Sequence, residues 1–145
     1  MNKNIEIKRM NQEDMPGFVR LWNQGYKLLT SSRFKMDLYK ALEGFKKKMF
    51  DYFGLYKNGE LIGFILFTKE KSNVWLKHML VDNVYRKKGL GSFFLNKALE
   101  RYKGVTIKTE VLFDNKQAYQ FFIKNRFVFE NKDNIEKQNI LYLNN

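Results

Sequence analysis

The dipeptide Asn58-Gly59 sits between two runs of β-forming residues in YFGLYKNGELIGFILF. Both residues tolerate the positive φ angles of a type I′ turn, so the stretch is expected to close on itself as an antiparallel hairpin. A third run, VWLKHMLV at 74–81, is apolar enough for a central strand. The period then changes: in LGSFFLNKALERY, residues Phe94, Leu95, Ala98, Leu99 and Tyr102 fall on one face of a helix. After Gly104 come a strand-like VTIKTEVL, a helical NKQAYQFFIKN and two last strands, RFVFEN and NILYL.

Upstream, IEIKR at 5–9 alternates as a short strand. NQEDMPGFVRLWNQGY offers acidic start signals, then Phe18, Val19, Leu21, Trp22 and Tyr26 at helical spacing, with Gly25 as the break. A second helix is expected over about Phe34 to Lys48, with Leu38, Tyr39, Leu42 and Phe45 on one side. Its closing run Lys46, Lys47, Lys48 suits the negative end of a helix dipole. The two late strand-helix-strand units favour parallel pairing. The expected fold is therefore α/β (α+β): a mixed central sheet of about seven strands flanked by about four helices, in the order β-α-α-β-β-β-α-β-α-β-β. At 145 residues and 44% hydrophobic content, residues 1–145 are expected to form one domain around one core.

Composition removes several chemistries. The chain has no cysteine and one histidine, so disulfides, thiolate catalysis and the common metal sites are not expected. No apolar run approaches the roughly 18 residues needed to span a bilayer, and the start MNKNIEIKRM lacks the pattern of a signal peptide. A cytoplasmic protein without a membrane partner is the expectation. The formal charge of +12 fits either an anionic partner or a lysine-rich surface.

The stretch VDNVYRKKGLGSFF concentrates what chemistry remains. The spacing G-x-x-x-x-G-K-[ST] of a nucleotide phosphate loop is absent. A dinucleotide fingerprint is disfavoured, because Phe94 occupies its third glycine position and Tyr85 to Lys88 separate strand from Gly89. A third reading accounts for the whole phrase. Backbone N–H groups at a helix N-terminus point outward unsatisfied and carry partial positive charge. Gly89 and Gly91 leave them bare, Arg86, Lys87 and Lys88 add charge, and a pyrophosphate is the natural occupant.

Arg86-Lys-Lys-Gly89-Leu-Gly91 fits [QR]-x-x-G-x-[GA], and with it the sequence resembles the GNAT superfamily of acetyl-CoA-dependent N-acetyltransferases, which carry this motif between the fourth strand and the third helix. TEVLFDNKQAYQFFIKNRF is similar to the family's later motif, where a strand ends near Glu and an Asn opens a helix of the form N-x-x-A-x-x-x-Y-x-x-x-G-F. The resemblance is strong over 74–130 and weak before 50. Two positions depart from it: Phe122 stands where the family has the tyrosine that commonly protonates the leaving thiolate, and Arg126 stands where it has glycine.

The resemblance implies acetyl-CoA as co-substrate and no metal. It implies that Met79, Leu80 and Val81 lie along the pantetheine arm, with the Leu80 amide at the thioester carbonyl. It places Arg86, Lys87, Lys88, Gly89, Leu90, Gly91 and Ser92 around the pyrophosphate, and Asn115 and Phe122 beside the cofactor. Lys124, on the same helix, either reaches a phosphate or is simply an exposed lysine. Asn115 is equally a helix N-cap. Glu110 is the implied base, directly or through water, or else pairs with a neighbouring Lys; His78 on the neighbouring strand is the other candidate, or else a packed residue among Trp75, Leu76 and Met79. Tyr119, three residues before Phe122 on roughly the same helix face, is either the candidate acid or a packed core aromatic. The acceptor, a primary amine of a small molecule or a peptide N-terminus, is expected to meet residues 17–53, with Trp22, Tyr26, Phe34, Tyr39 and Phe50 among them. A homodimer is compatible with this reading. The alternatives are a catalytically weak acyl-CoA-binding domain, which Phe122 favours, and a basic nucleic-acid module suggested by RFVFEN, disfavoured because Asn125-Arg126 stands where glycines are expected before the aromatics.

Overall fold

The computed structural model describes residues 4–28, 34–86 and 88–145. Strands β1 (Ile5–Arg9), β2 (Asp51–Lys57), β3 (Glu60–Glu70), β4 (Asn73–Val81), β5 (Thr106–Leu112), β6 (Val128–Asp133) and β7 (Gln138–Asn144) alternate with helices α1 (Met15–Gly25), α2 (Leu38–Lys46), α3 (Leu90–Leu99) and α4 (Lys116–Lys124). This is the order read from the sequence. The strands form one sheet, ordered β1-β2-β3-β4-β5-β7-β6. β4 and β5, joined through α3, run parallel, and the other neighbours pair antiparallel.

Asn58 and Gly59 adopt φ of 51° and 81°, the left-handed pair that a type I′ turn requires. Each face of the sheet carries its own core. Phe18, Leu21 and Trp22 of α1 pack on Tyr52, Phe64, Leu66 and Leu80. On the other face, Phe94, Leu95 and Ala98 of α3 and Phe122 of α4 pack on Phe53, Ile65, Leu76, Ile107 and Val111. Gly25, expected as a helix break, also serves packing: a Cβ there would lie 2.5 Å from Leu80 Cδ1, so a larger residue would force that side chain to shift.

The second helix is shorter than its sequence suggested. The Asp37 carboxylate accepts the Lys40 N–H at 2.7 Å and starts α2 at Leu38. The residues just before are drawn back to α1, where Trp22 Nε1 donates to the Phe34 carbonyl at 2.8 Å and Asn23 bonds both backbone groups of Met36. The apolar stripe is also rotated. Ala41 and Gly44 are buried, whereas Tyr39 is 74% exposed and Leu38 is exposed as well.

Candidate active site

β4 holds the decisive irregularity. Its pairing with β3 slips by one residue, so that Leu76 faces Phe67, His78 faces Leu66, and Lys77 is left over as a bulge. One extra residue reverses which face each later side chain meets. Val74 and Leu76 belong to the core under α3 and α4, whereas Leu80 belongs to the core under α1. At the same place β4 and β5 part. Their parallel register covers only Val74–Leu76 against Ile107–Thr109, although β4 continues to Val81 and β5 to Leu112. The fork is tied at its vertex by the buried Thr109 hydroxyl, which donates to the Leu76 carbonyl at 2.9 Å. Thr109→Val leaves that carbonyl without its partner. The expected cost is about 1–3 kcal/mol in urea unfolding.

Strand alternation identifies the groups facing the gap. Asp82 N–H donates to the Ile62 carbonyl at 2.8 Å, which makes this a hydrogen-bonded pair of the β3–β4 ladder. The next such pair is Phe64–Leu80, so the Leu80 amide is directed at β3. The amides of Met79 and Val81 face the other way, toward the space that β5 has left. Arg86 Nε approaches from that side and donates to the Val81 carbonyl at 2.7 Å. The Leu80 N–H is therefore taken up by the ladder and, unlike those of Met79 and Val81, is not directed at the gap.

A cleft of about 380 Å³ occupies the fork, bounded by β4, β5, the glycine loop and α4. At its far end Gly89, with φ of 79°, is the N-cap of α3. The first bond of the helix runs from Phe93 N–H to the Gly89 carbonyl at 3.2 Å. The N–H groups of Leu90, Gly91 and Ser92 thus precede any intrahelical partner. A side chain at Gly89 would meet nothing within 4 Å, whereas a Cβ at Gly91 would lie 3.2 Å from Phe121 Cε1. Gly89 gives the loop its left-handed turn, and Gly91 lets α3 and α4 approach. Ser92 Oγ accepts from Asn125 Nδ2 at 3.1 Å, a further tie between those helices. The bare left-handed turn, the helix N-terminus and the unpaired β4 amides together fit a long ligand with an anionic end and an amide-bearing arm.

The acetyltransferase (GNAT) family matches residues 8–126 of this sequence. The chain belongs to that family. No curated protein shows significant similarity to it. Among solved structures, an N-acetyltransferase from Staphylococcus aureus Mu50 is similar at TM-score 0.84 and 17% identity, covering 98% of this chain and 99% of that one. PaiA N-acetyltransferase from Thermoplasma acidophilum, in complex with coenzyme A, matches at 0.83 and 21% over 100% of both chains. Ribosomal-protein-alanine N-acetyltransferase from Brucella melitensis matches at 0.77 and 15%, covering 94% and 96%. At these identities the likeness shows the fold.

Within this GNAT domain the residues singled out in the sequence fall into three groups. Met79, Leu80, Val81, Arg86, Gly89, Gly91, Ser92, Glu110, Asn115, Phe122, Lys124 and His78 all line the cleft. Asn115 also caps α4, accepting the Ala118 N–H at 3.1 Å. Lys88 is exposed beside the loop, and Leu90 and Tyr119 pack half-buried against the core rather than on the cleft wall. Phe121, next to Phe122, lines the cleft in that part of α4. Lys87 lies outside the described residues.

Glu110 is fully engaged. Its Oε1 lies 3.3 Å from Lys77 Nζ, and its Oε2 accepts from Gln138 Nε2. Lys77 also reaches Glu70 at 3.6 Å. His78 is 5% exposed, with its ring edge-to-face with Trp22 and Phe50. Its Nδ1 has no hydrogen-bond partner among the described residues. Burial first, and the neighbouring Lys77 charge second, push its pKa down to about 4, so the imidazole is neutral at physiological pH.

Sequence reading missed Lys77, Thr109, Gln138 and the Asp82–Arg20 pair. A bulge carries no residue signature, and Gln138 reaches Glu110 only because β7 returns beside β5. Asp82 closes β4: it accepts the Val84 N–H and the Arg20 guanidinium, each at 3.2 Å. Burial alone would raise this carboxyl, yet those bonds, Gln24 and the Arg20 charge hold it below the usual range.

Proposed function

We propose that the protein is an acetyl-CoA-dependent N-acetyltransferase acting on the primary amine of a small molecule or a peptide N-terminus. The observation that carries this reading is the fork between β4 and β5, open beside the bare N-terminus of α3, in a chain of an acetyltransferase family. The helix N–H groups, Arg86 and Lys124 suit the diphosphate of the cofactor, with Lys88 adding exposed charge beside them. The amides of Met79 and Val81 supply strand-like donors for its arm and a polarising donor for an acyl oxygen. Asn115 and Phe122 flank the same path. When bound, acetyl-CoA supplies an acetyl group activated as a thioester. The amine nitrogen bonds to the acetyl carbon, the carbon–sulfur bond breaks, and one amine proton leaves for Glu110 or solvent.

Tyr119 packs toward the core, off the cleft wall, so the sulfur is taken to leave without a proton from it. A thiol with a pKa of about 8.5 is a fair leaving group without one. Phe122 favours a second reading, a domain that binds acyl-CoA and turns it over slowly. A cytoplasmic location is part of this proposal; no described helix is long and apolar enough to cross a membrane.

Calorimetric titration with acetyl-CoA, followed by thiol release across a panel of amines, tests these readings. Binding with amine-dependent release is the expected result. Binding without release supports the silent binder, and absence of binding overturns both.

A further inference from the structure

Charge in the cleft is unbalanced. Among the described residues that line it, Lys77, Arg86 and Lys124 are cations and Glu110 is the single carboxylate. Both oxygens of that carboxylate are taken, by Lys77 and by Gln138. His78, also on the lining, is buried against Trp22 and Phe50 and held neutral, so it supplies no charge to pair with a cation. Lys77 is itself held in place, with Glu70 on its other side. An acceptor arriving as an ammonium ion would have to displace Lys77 from Glu110 or sit unpaired beside it.

We propose that the acceptor site selects weakly basic amines, α-amino groups and arylamines, which enter uncharged, and discriminates against alkylamines and polyamines. The inference rests on the transferase reading and narrows its substrate class. With Lys77 and Gln138 on its oxygens, Glu110 keeps spare lone pairs that accept a hydrogen bond from an amine already deprotonated in water. It receives a proton only after the nitrogen has bonded to the acyl carbon and become far more acidic. At pH 7 about one α-amino group in ten is neutral, against about one alkylamine in two or three thousand. The protonation equilibrium alone then favours α-amines by on the order of a hundredfold.

Calorimetry can test this without turnover. The protein is first saturated with coenzyme A, then titrated at pH 7 with alaninamide, aniline or n-butylamine, in phosphate and in Tris. The two buffers differ in ionisation heat, so the difference in measured heat counts protons. Uncharged entry predicts about one proton released per n-butylamine bound, most of one for alaninamide and none for aniline. It also predicts an apparent n-butylamine affinity that rises about a hundredfold from pH 7 to pH 9. Binding of n-butylamine without proton release, at an affinity that does not rise with pH, overturns the proposal. In Lys77→Met, which frees Glu110 to pair with a cation, proton release should fall toward zero; unchanged release would remove Lys77 from the selection and overturn this account of it. Failure of coenzyme A to bind would instead count against the transferase reading.

Discussion

Replacing Gly89 with valine is expected to weaken acetyl-CoA binding by about a hundredfold or more while leaving the fold in place. The added Cβ meets nothing within 4 Å, so no core packing is lost. What changes is the backbone. Gly89 holds φ of 79°, where an L residue costs about 1–2 kcal/mol and a β-branched one is a genuine outlier. The loop escapes the strain by turning elsewhere, and the three N–H groups it presents then lose their common aim. A hundredfold change corresponds to about 2.7 kcal/mol, the worth of one or two hydrogen bonds to a charged group. Titration calorimetry reads the affinity, and far-ultraviolet circular dichroism checks the fold. Wild-type affinity in a folded Gly89→Val protein would show that the start of α3 does not hold the diphosphate. Gly91→Ala is the informative companion, because its φ is ordinary and its Cβ has only to push the Phe121 ring by a few tenths of an ångström.

The second large effect is on stability. His78 is held neutral in the folded protein to about pH 4, whereas an unfolded histidine titrates near 6.5. Between those values the unfolded chain binds the additional proton, so stability rises with pH and is lost on acidification. By pH 4 the loss should reach about 3 kcal/mol from this residue alone, a large share of a typical domain's 5–15 kcal/mol. Asp82 adds nothing in that window: its depressed carboxyl contributes stability above its unfolded pKa and gives it up only at more acid pH. Urea midpoints at pH 7, 5.5 and 4.5 measure the slope. In His78→Leu the slope over this window should flatten, and a variant as acid-sensitive as the wild type would refute the burial argument.

Much of this fold was written in local patterns. The Asn58-Gly59 turn and the change of period after Val81 are decided within a few residues, and so is the bare loop at Gly89. Long-range geometry was not legible in the same way. The direction of the Leu80 amide depends on its ladder with β3, and the fate of Glu110 depends on Gln138, which β7 brings across the sheet. Tyr39 reads as apolar and helical in sequence yet stands in solvent, because the small residues Ala41 and Gly44 set the contact face of α2. Phe122 shows the limit most clearly. Its departure from the family pattern is visible in sequence, but that Tyr119 points to the core and Phe121 to the cleft required the helix in place.

The extra residue at Lys77 means that β4 is read in two frames. A saturation mutagenesis map of the strand should therefore not show one alternating track of tolerance. Intolerance to polar residues should fall on Val74 and Leu76 because of what lies beneath α3, and on His78 and Leu80 because of what lies beneath α1. Deleting a single codon at this position would restore one continuous frame, exchange the partners of both cores beyond it and let the parted strands zip together. Such a deletion removes one largely buried lysine with its pairs to Glu70 and Glu110, yet the reversal of faces should make it among the most damaging changes available to the gene.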